Sequence, residues 1–223
     1  MAPDRPLLEG HISKAFDGAL ATLHVRVVEM GGLVLDQVRE ATQAYTEWDE
    51  ARALQVIERE GEVNRYKRSI DGDQLQLIAR RAPVASDLRA ILALSRCVAE
   101  LERAGDEAKK IAKNVLGAGP RPGPATAREA RHLGELSVSL LRLALEALDT
   151  IDFPKCNEVI ERDNDLDAEY ASALRRLLTR AMEDPRQLEV AVEAAFVLKS
   201  LERIGDHARN LARHILTIET EHA

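Results

Sequence analysis

Apolar residues recur along this chain at alternating intervals of three and four. From Phe16 the series runs through Leu20, Leu23, Val27, Met30, Val34, Val38 and Ala41 to Tyr45. The mean spacing is that of an α-helix with one buried face. A second series runs Ile91, Leu94, Val98, Leu101, Gly105, Ala108, Ala112, Val115. A third runs Val190, Ala194, Val197, Leu201, Ile204, Ala208, Leu211, Ile215. Prolines at 83, at 120, 122 and 124, at 154 and at 185 punctuate long breaker-poor stretches. Together these signals predict six helices, roughly 8–45, 49–81, 84–117, 126–151, 154–182 and 185–219. Ser86 and Asp87 after Pro83, and Asp184 before Pro185, supply start signals for the third and sixth.

The chain repeats itself. Leu101-Glu102-Arg103-Ala104-Gly105-Asp106 returns as Leu201-Glu202-Arg203-Ile204-Gly205-Asp206, and Val56-Ile57-Glu58-Arg59 returns as Val159-Ile160-Glu161-Arg162. Both anchors keep their order at nearly the same offset, and each half has a proline between its second and third helices. The pattern is a tandem duplication of a three-helix unit. The Gly/Pro-rich segment 117–124 forms the junction, which places one repeat at 1–119 and the other at 120–223.

Composition agrees with an all-α fold and narrows the function. Aromatic residues make up 3% of the chain, so the core must be aliphatic and strand formers are scarce. A net charge of −7 argues against a protein that grips nucleic-acid backbone. Cys97 and Cys156 form no metal-ligand spacing and read as packed thiols. The N-terminus lacks the apolar region of a signal peptide and no apolar run approaches membrane-spanning length, so a cytoplasmic location is expected.

Within each repeat, acidic or amide groups stand four residues apart on two helices: Glu60/Asn64 with Glu102/Asp106, and Asp163/Asp167 with Glu202/Asp206. Such spacing stacks two side chains on one face, where like charges repel unless a cation compensates. With 38 acids in the chain, chance alone supplies about six acidic pairs at this spacing, and a solvated face is the default reading. Recurrence inside the repeat anchors lifts these pairs above it. An all-oxygen site of this kind suits Mg²⁺, Mn²⁺, Ca²⁺ or iron better than structural zinc. Nearby bases such as Lys110, Arg103 and Arg203 offer local neutralisation instead. His207, on the second copy only, reads as an exposed helix residue or an added ligand. Gly105 and Gly205, mid-helix in both copies, read as points where another helix comes close.

No nucleophile elbow, Walker loop or dinucleotide motif is present. A di-iron carboxylate enzyme or storage protein is the alternative reading, but it needs two Glu-x-x-His motifs on separate helices, and Glu129 with His132 has no counterpart in the other repeat.

The segments AELERAGDEAKKIAKNV and KSLERIGDHARNLARHI, with RRAPVASDLRAILALS before the first, resemble the PhoU family. So does the stretch HISKAFDGALATLHVRVVEMGGLVLDQV, with its Met30-Gly31 pair. The resemblance spans about residues 9 to 217. It implies two three-helix bundles related by an approximate internal two-fold axis. It also implies metal ions (Mg, Mn, Fe or Zn) on the bundle surfaces, held by Glu60, Asn64, Glu102 and Asp106 and by Asp163, Asp167, Glu202 and Asp206. Asn64 departs from the family's acidic pattern. Arg103 and Arg203 would orient carboxylates. In function it implies a negative regulator of phosphate uptake and of the phosphate-starvation response. This would be a homodimeric cytoplasmic adaptor, not an enzyme, between a phosphate ABC transporter ATPase and a sensor histidine kinase. Contact with the membrane would come only through those partners.

Overall fold

A computed structural model describes residues 14–81, 83, 85–117 and 119–218. Its helices are α1 (Lys14–Glu47), α2 (Glu50–Arg81), α3 (Ala85–Leu116), α4 (Pro124–Thr150), α5 (Phe153–Glu183) and α6 (Leu188–Leu216), with a 3₁₀ turn at Pro185–Gln187. The six periodic segments are therefore helices, with ends displaced by a few residues; the expected start of the first, before residue 14, lies outside the described residues. Helix α4 begins at Pro124, where the missing amide of proline costs nothing. The Asp184 carboxylate accepts from the Arg186 amide at 3.2 Å, so it caps the 3₁₀ turn and α6 starts three residues beyond Pro185.

Duplication extends to the tight turns. Trp48 after α1 and Ile151 after α4 both adopt left-handed backbone, at φ 58° and 49°. Each is followed by an aspartate that caps the next helix. Asp49 accepts from the Arg52 amide and Asp152 from the Lys155 amide, both at 3.0 Å. A non-glycine residue in this region costs about 1–2 kcal/mol, and edge-on contact of Trp48 with Tyr45 helps hold the first copy in place.

Helix α2 packs on α1 and α3, and α5 on α4 and α6, giving the two three-helix units. The units share one core, because α3 lies along α6 and α1 along α4. Both seams are antiparallel. Glu100 meets His207 and Arg203 meets Glu107 on one seam; on the other, His24 on α1 reaches the Leu148 carbonyl. A Cβ on Gly31 would collide with Leu145, and a Cβ on Gly134 would collide with Thr42. Gly31 and Gly134 are separated by 103 residues, as are Thr42 and Leu145, so one contact is the internal-symmetry mate of the other.

No continuous apolar run reaches membrane-spanning length, but the averaged composition within one helix does. Within Phe16–Glu47 of α1 an 18-residue window is apolar enough by length and composition. In this fold its apolar stripe, Leu20, Leu23, Val27, Met30, Val34 and Val38, is buried in the shared core.

Candidate metal centre and the repeat seam

The paired acids sit where the third helix of each repeat crosses the second. Glu60 on α2 is 2% exposed, and Asp163, its counterpart on α5, is 1% exposed. The recurrent glycines explain how such groups fit. A Cβ on Gly105 would lie 3.3 Å from Glu60 Oε2, and one on Gly205 would lie 3.3 Å from Asp163 Oδ1. Both glycines thus bring a helix backbone against a buried carboxylate, a finer version of the close approach read from the sequence.

Neutralisation differs between the halves. Glu60 Oε2 accepts from Gln37 Nε2 at 3.0 Å and Oε1 from Asn64 Nδ2 at 2.8 Å. Lys67 pairs with Glu102 at 3.0 Å. In the second half Arg209 spans Asp163 and Asp206, at 2.6 Å from the latter, while Lys199 binds Glu202 at 2.6 Å and lies over the Tyr170 ring. Asp163 Oδ1 is buried with no hydrogen-bond partner. Burial pushes the carboxyls of Glu60 and Asp163 above the usual range. The Gln37 bond opposes this for Glu60, and the Arg209 charge opposes it for Asp163.

None of Gln37, Lys67, Lys109, Lys199 and Arg209 is among the sequence candidates. Arg209 follows Asp206 by three positions, and Lys109 follows Asp106 likewise and lowers the Glu60 carboxyl through its charge. A base three residues after the motif aspartate was the available signal. Gln37 had a signal too, as a polar residue beside the apolar stripe at Val38.

The donor set of the second half, four carboxylates with one buried oxygen unpartnered, has the chemistry of a hard-cation site. Among the described residues, however, no three His, Cys, Asp or Glu side chains gather closely enough to hold an ion. Arg209 lies across the acids where a cation would sit, so metal entry there requires the guanidinium to swing away.

Arg103 and Arg203 do not orient the motif carboxylates. They turn to the α3–α6 seam, where Arg103 pairs with Glu100 at 3.0 Å and Arg203 with Glu107 at 3.4 Å. Lys110 likewise binds Glu107, not Asp106. His207 is not an exposed helix residue. Its Nδ1 lies 2.8 Å from Glu100 Oε2, joined by Asn210 at 3.4 Å, with His214 at 3.9 Å from the other oxygen. Burial alone would push the Glu100 carboxyl up, but His207, His214 and Asn210 overcome it and hold the group well below the usual carboxylate range. A folded-state pKa below the unfolded one contributes stability above about pH 4.3 that is lost as pH falls through the folded value. Glu100→Gln is therefore expected to lower stability at pH 7 by about 1.5–3 kcal/mol and to flatten the loss between pH 5 and pH 2. Urea unfolding across that range measures both.

Glu129 of the Glu-x-x-His pair with His132 is held by Arg176 and Arg180, at 2.5 and 2.7 Å, which removes it from any di-iron arrangement.

Fold and site define a class: an internally duplicated, all-helical protein whose buried acids are pressed against motif glycines at equivalent crossings. The chain belongs to the PhoU family. The PhoU domain profile matches residues 27–115 and 130–215. The phosphate-specific transport system accessory protein PhoU homolog of Pseudomonas putida is 40% identical over 214 residues, 94% of this chain and 82% of that protein. The crystal structure of PhoU from Pseudomonas aeruginosa is 38% identical with a TM-score of 0.85, covering 92% of this chain and 98% of that one. The phosphate transport system regulatory protein PhoU from Streptococcus pneumoniae aligns with a TM-score of 0.82 at 25% identity, over 92% and 97% of the two chains.

Proposed function

We propose that this protein is a non-enzymatic accessory regulator of a phosphate-specific transport system. It acts as a cytoplasmic, homodimeric adaptor that contacts the transporter ATPase and a sensor histidine kinase, restraining uptake and the starvation response when phosphate is plentiful. The observation that carries this reading is likeness over almost the whole chain to proteins named as accessory and regulatory components of that system. The long exposed faces of α2 and α5, each backed by only two neighbouring helices, are surfaces suited to docking. The reading treats residues 1–119 and 120–223 as the two repeat domains.

A divalent cation is part of the proposal. Glu60, Asn64, Glu102 and Asp106 would hold one, and Asp163, Asp167, Glu202 and Asp206 another. The unpartnered Asp163 Oδ1 supports the second set more strongly. A bound cation would supply charge neutralisation there, and releasing Arg209 and Lys199 would change the charge shown to a partner.

Affinity capture with the tagged protein tests the adaptor reading. The transporter ATPase and the kinase are expected to be retained, and a strain lacking this protein is expected to express its starvation genes in high phosphate. Repression as in the parent strain would overturn the reading. Metal analysis of the purified protein is expected to find stoichiometric cation, reduced by half or more in Asp163→Ala with Glu202→Ala. Absence of metal in the unaltered protein would leave the acids as internal salt-bridge partners only.

A further inference from the structure

A cavity of about 360 Å³ opens between the C-terminal half of α1 and the middle of α4, away from the acid pairs. Three arginines line it: Arg39 from α1, and Arg131 and Arg142 from α4. Its floor is the contact of Thr42 with Gly134, and Gln43, Thr46 and Ser139 add neutral hydrogen-bonding groups. Arg39 pairs with Asp36 at 2.8 Å and remains half exposed. Among the described residues, neither Arg131 nor Arg142 has a carboxylate partner.

The internal repeat supplies a control within the molecule. The symmetry that takes Gly31 to Gly134 and Thr42 to Leu145 also exchanges Arg39 with Arg142. At the other end of the seam Leu145 stands where Thr42 stands here, and fills the space over Gly31. Glu146, Asp149 and Asp36 stand where this cavity has Gln43, Thr46 and Ser139, and Val28 stands in place of Arg131. Even counting Glu47 and Glu135 in its wall, the cavity carries one net positive charge. The equivalent positions carry one net negative charge. One copy of the seam has been hollowed, given neutral groups where the other carries Glu146, Asp149 and Asp36, and given an extra guanidinium.

We propose that this cavity binds a small polyvalent oxyanion, a molecule with two or more phosphoryl or carboxylate groups. Guanidinium forks match such groups through paired hydrogen bonds. Arg131 and Arg142 start about 16 Å apart along α4, and Arg39 reaches the groove from a level between them. A row of cations suits a ligand with its charges spread along its length better than a single ion. The cavity is of a size that encloses small metabolites, and the chain offers hydroxyl and amide groups rather than aromatic rings for the ligand body.

Calorimetric titration of the full chain at constant ionic strength with diphosphate, citrate and orthophosphate tests it. Diphosphate or citrate is expected to bind once per chain, at least tenfold tighter than orthophosphate, and the tighter of the two assigns the phosphoryl or carboxylate source. Arg131→Gln with Arg142→Gln is expected to weaken binding about tenfold or more, while Arg175→Gln, an exposed arginine on α5, leaves it unchanged. Thr42→Leu, which copies the residue of the other repeat, is expected to exclude the ligand from a folded protein, checked by circular dichroism. Absence of binding, equal loss in the Arg175 control, or unaltered binding in folded Thr42→Leu would each overturn the proposal.

Discussion

Replacing Arg209 with alanine is expected to destabilise the protein by about 3–5 kcal/mol, the loss that follows when one partner of a buried ion pair is removed. The Asp163 side chain is 2% exposed, and burial already pushes its carboxyl upward. Asp167 and Asp206 add like charge beside it. Without the guanidinium three carboxylates face one another, and Asp163 must take up a proton or draw water into the crossing. Guanidinium chloride unfolding gives the magnitude. In Arg209→Ala with Asp163→Asn the cost is expected to shrink by half or more, because a neutral amide needs no counter-ion. Added Mg²⁺ or Mn²⁺ is expected to restore stability to the single variant if the remaining acids accept a cation in place of the arginine. A variant no less stable than the parent would mean that Asp163 is neutral in the fold.

Gly205→Val is expected to cost about 3 kcal/mol, at the upper end for an overpacked core. A Cβ here meets the Leu166 side chain first and then Asp163 Oδ1 and Leu140, so a branched residue pushes apolar carbon against a buried carboxylate. The gain in helix propensity over glycine, under 1 kcal/mol, offsets little of this. Gly105→Ala is expected to be milder. Its nearest neighbours, Gln37 Oε1 at 3.1 Å and Glu60 Oε2 at 3.3 Å, are ends of side chains that can turn aside. Thermal unfolding of both variants separates the two cases.

Much of this architecture was readable from spacing alone. A period of three and four marks the buried stripes of α1, α3 and α6, and the recurring Leu-Glu-Arg-x-Gly-Asp anchor marks the duplication. What periodicity omits is the identity of the partner. It shows that Leu101 and Leu201 are inside, but not that α3 lies along α6 and α1 along α4. The acid pairs were legible as pairs, and Lys199 stands three residues before Glu202 on the same helix, but Lys67 reaches Glu102 from a neighbouring helix, a contact that no spacing rule fixes. His207 was misjudged for a related reason. Its environment is set by Glu100, 107 residues away, through the antiparallel seam.

That seam also bears on how such a chain could have arisen. A single repeat on its own would leave the outer stripes of α1 and α3 bare, and the surface best shaped to cover them is another copy of the same repeat. The present polypeptide has the form of a fused pair, whose ancestor of half the length would have lived as a two-chain assembly. Cutting the connection at residues 117–123 should accordingly give fragments that reunite when produced together, while either one alone precipitates.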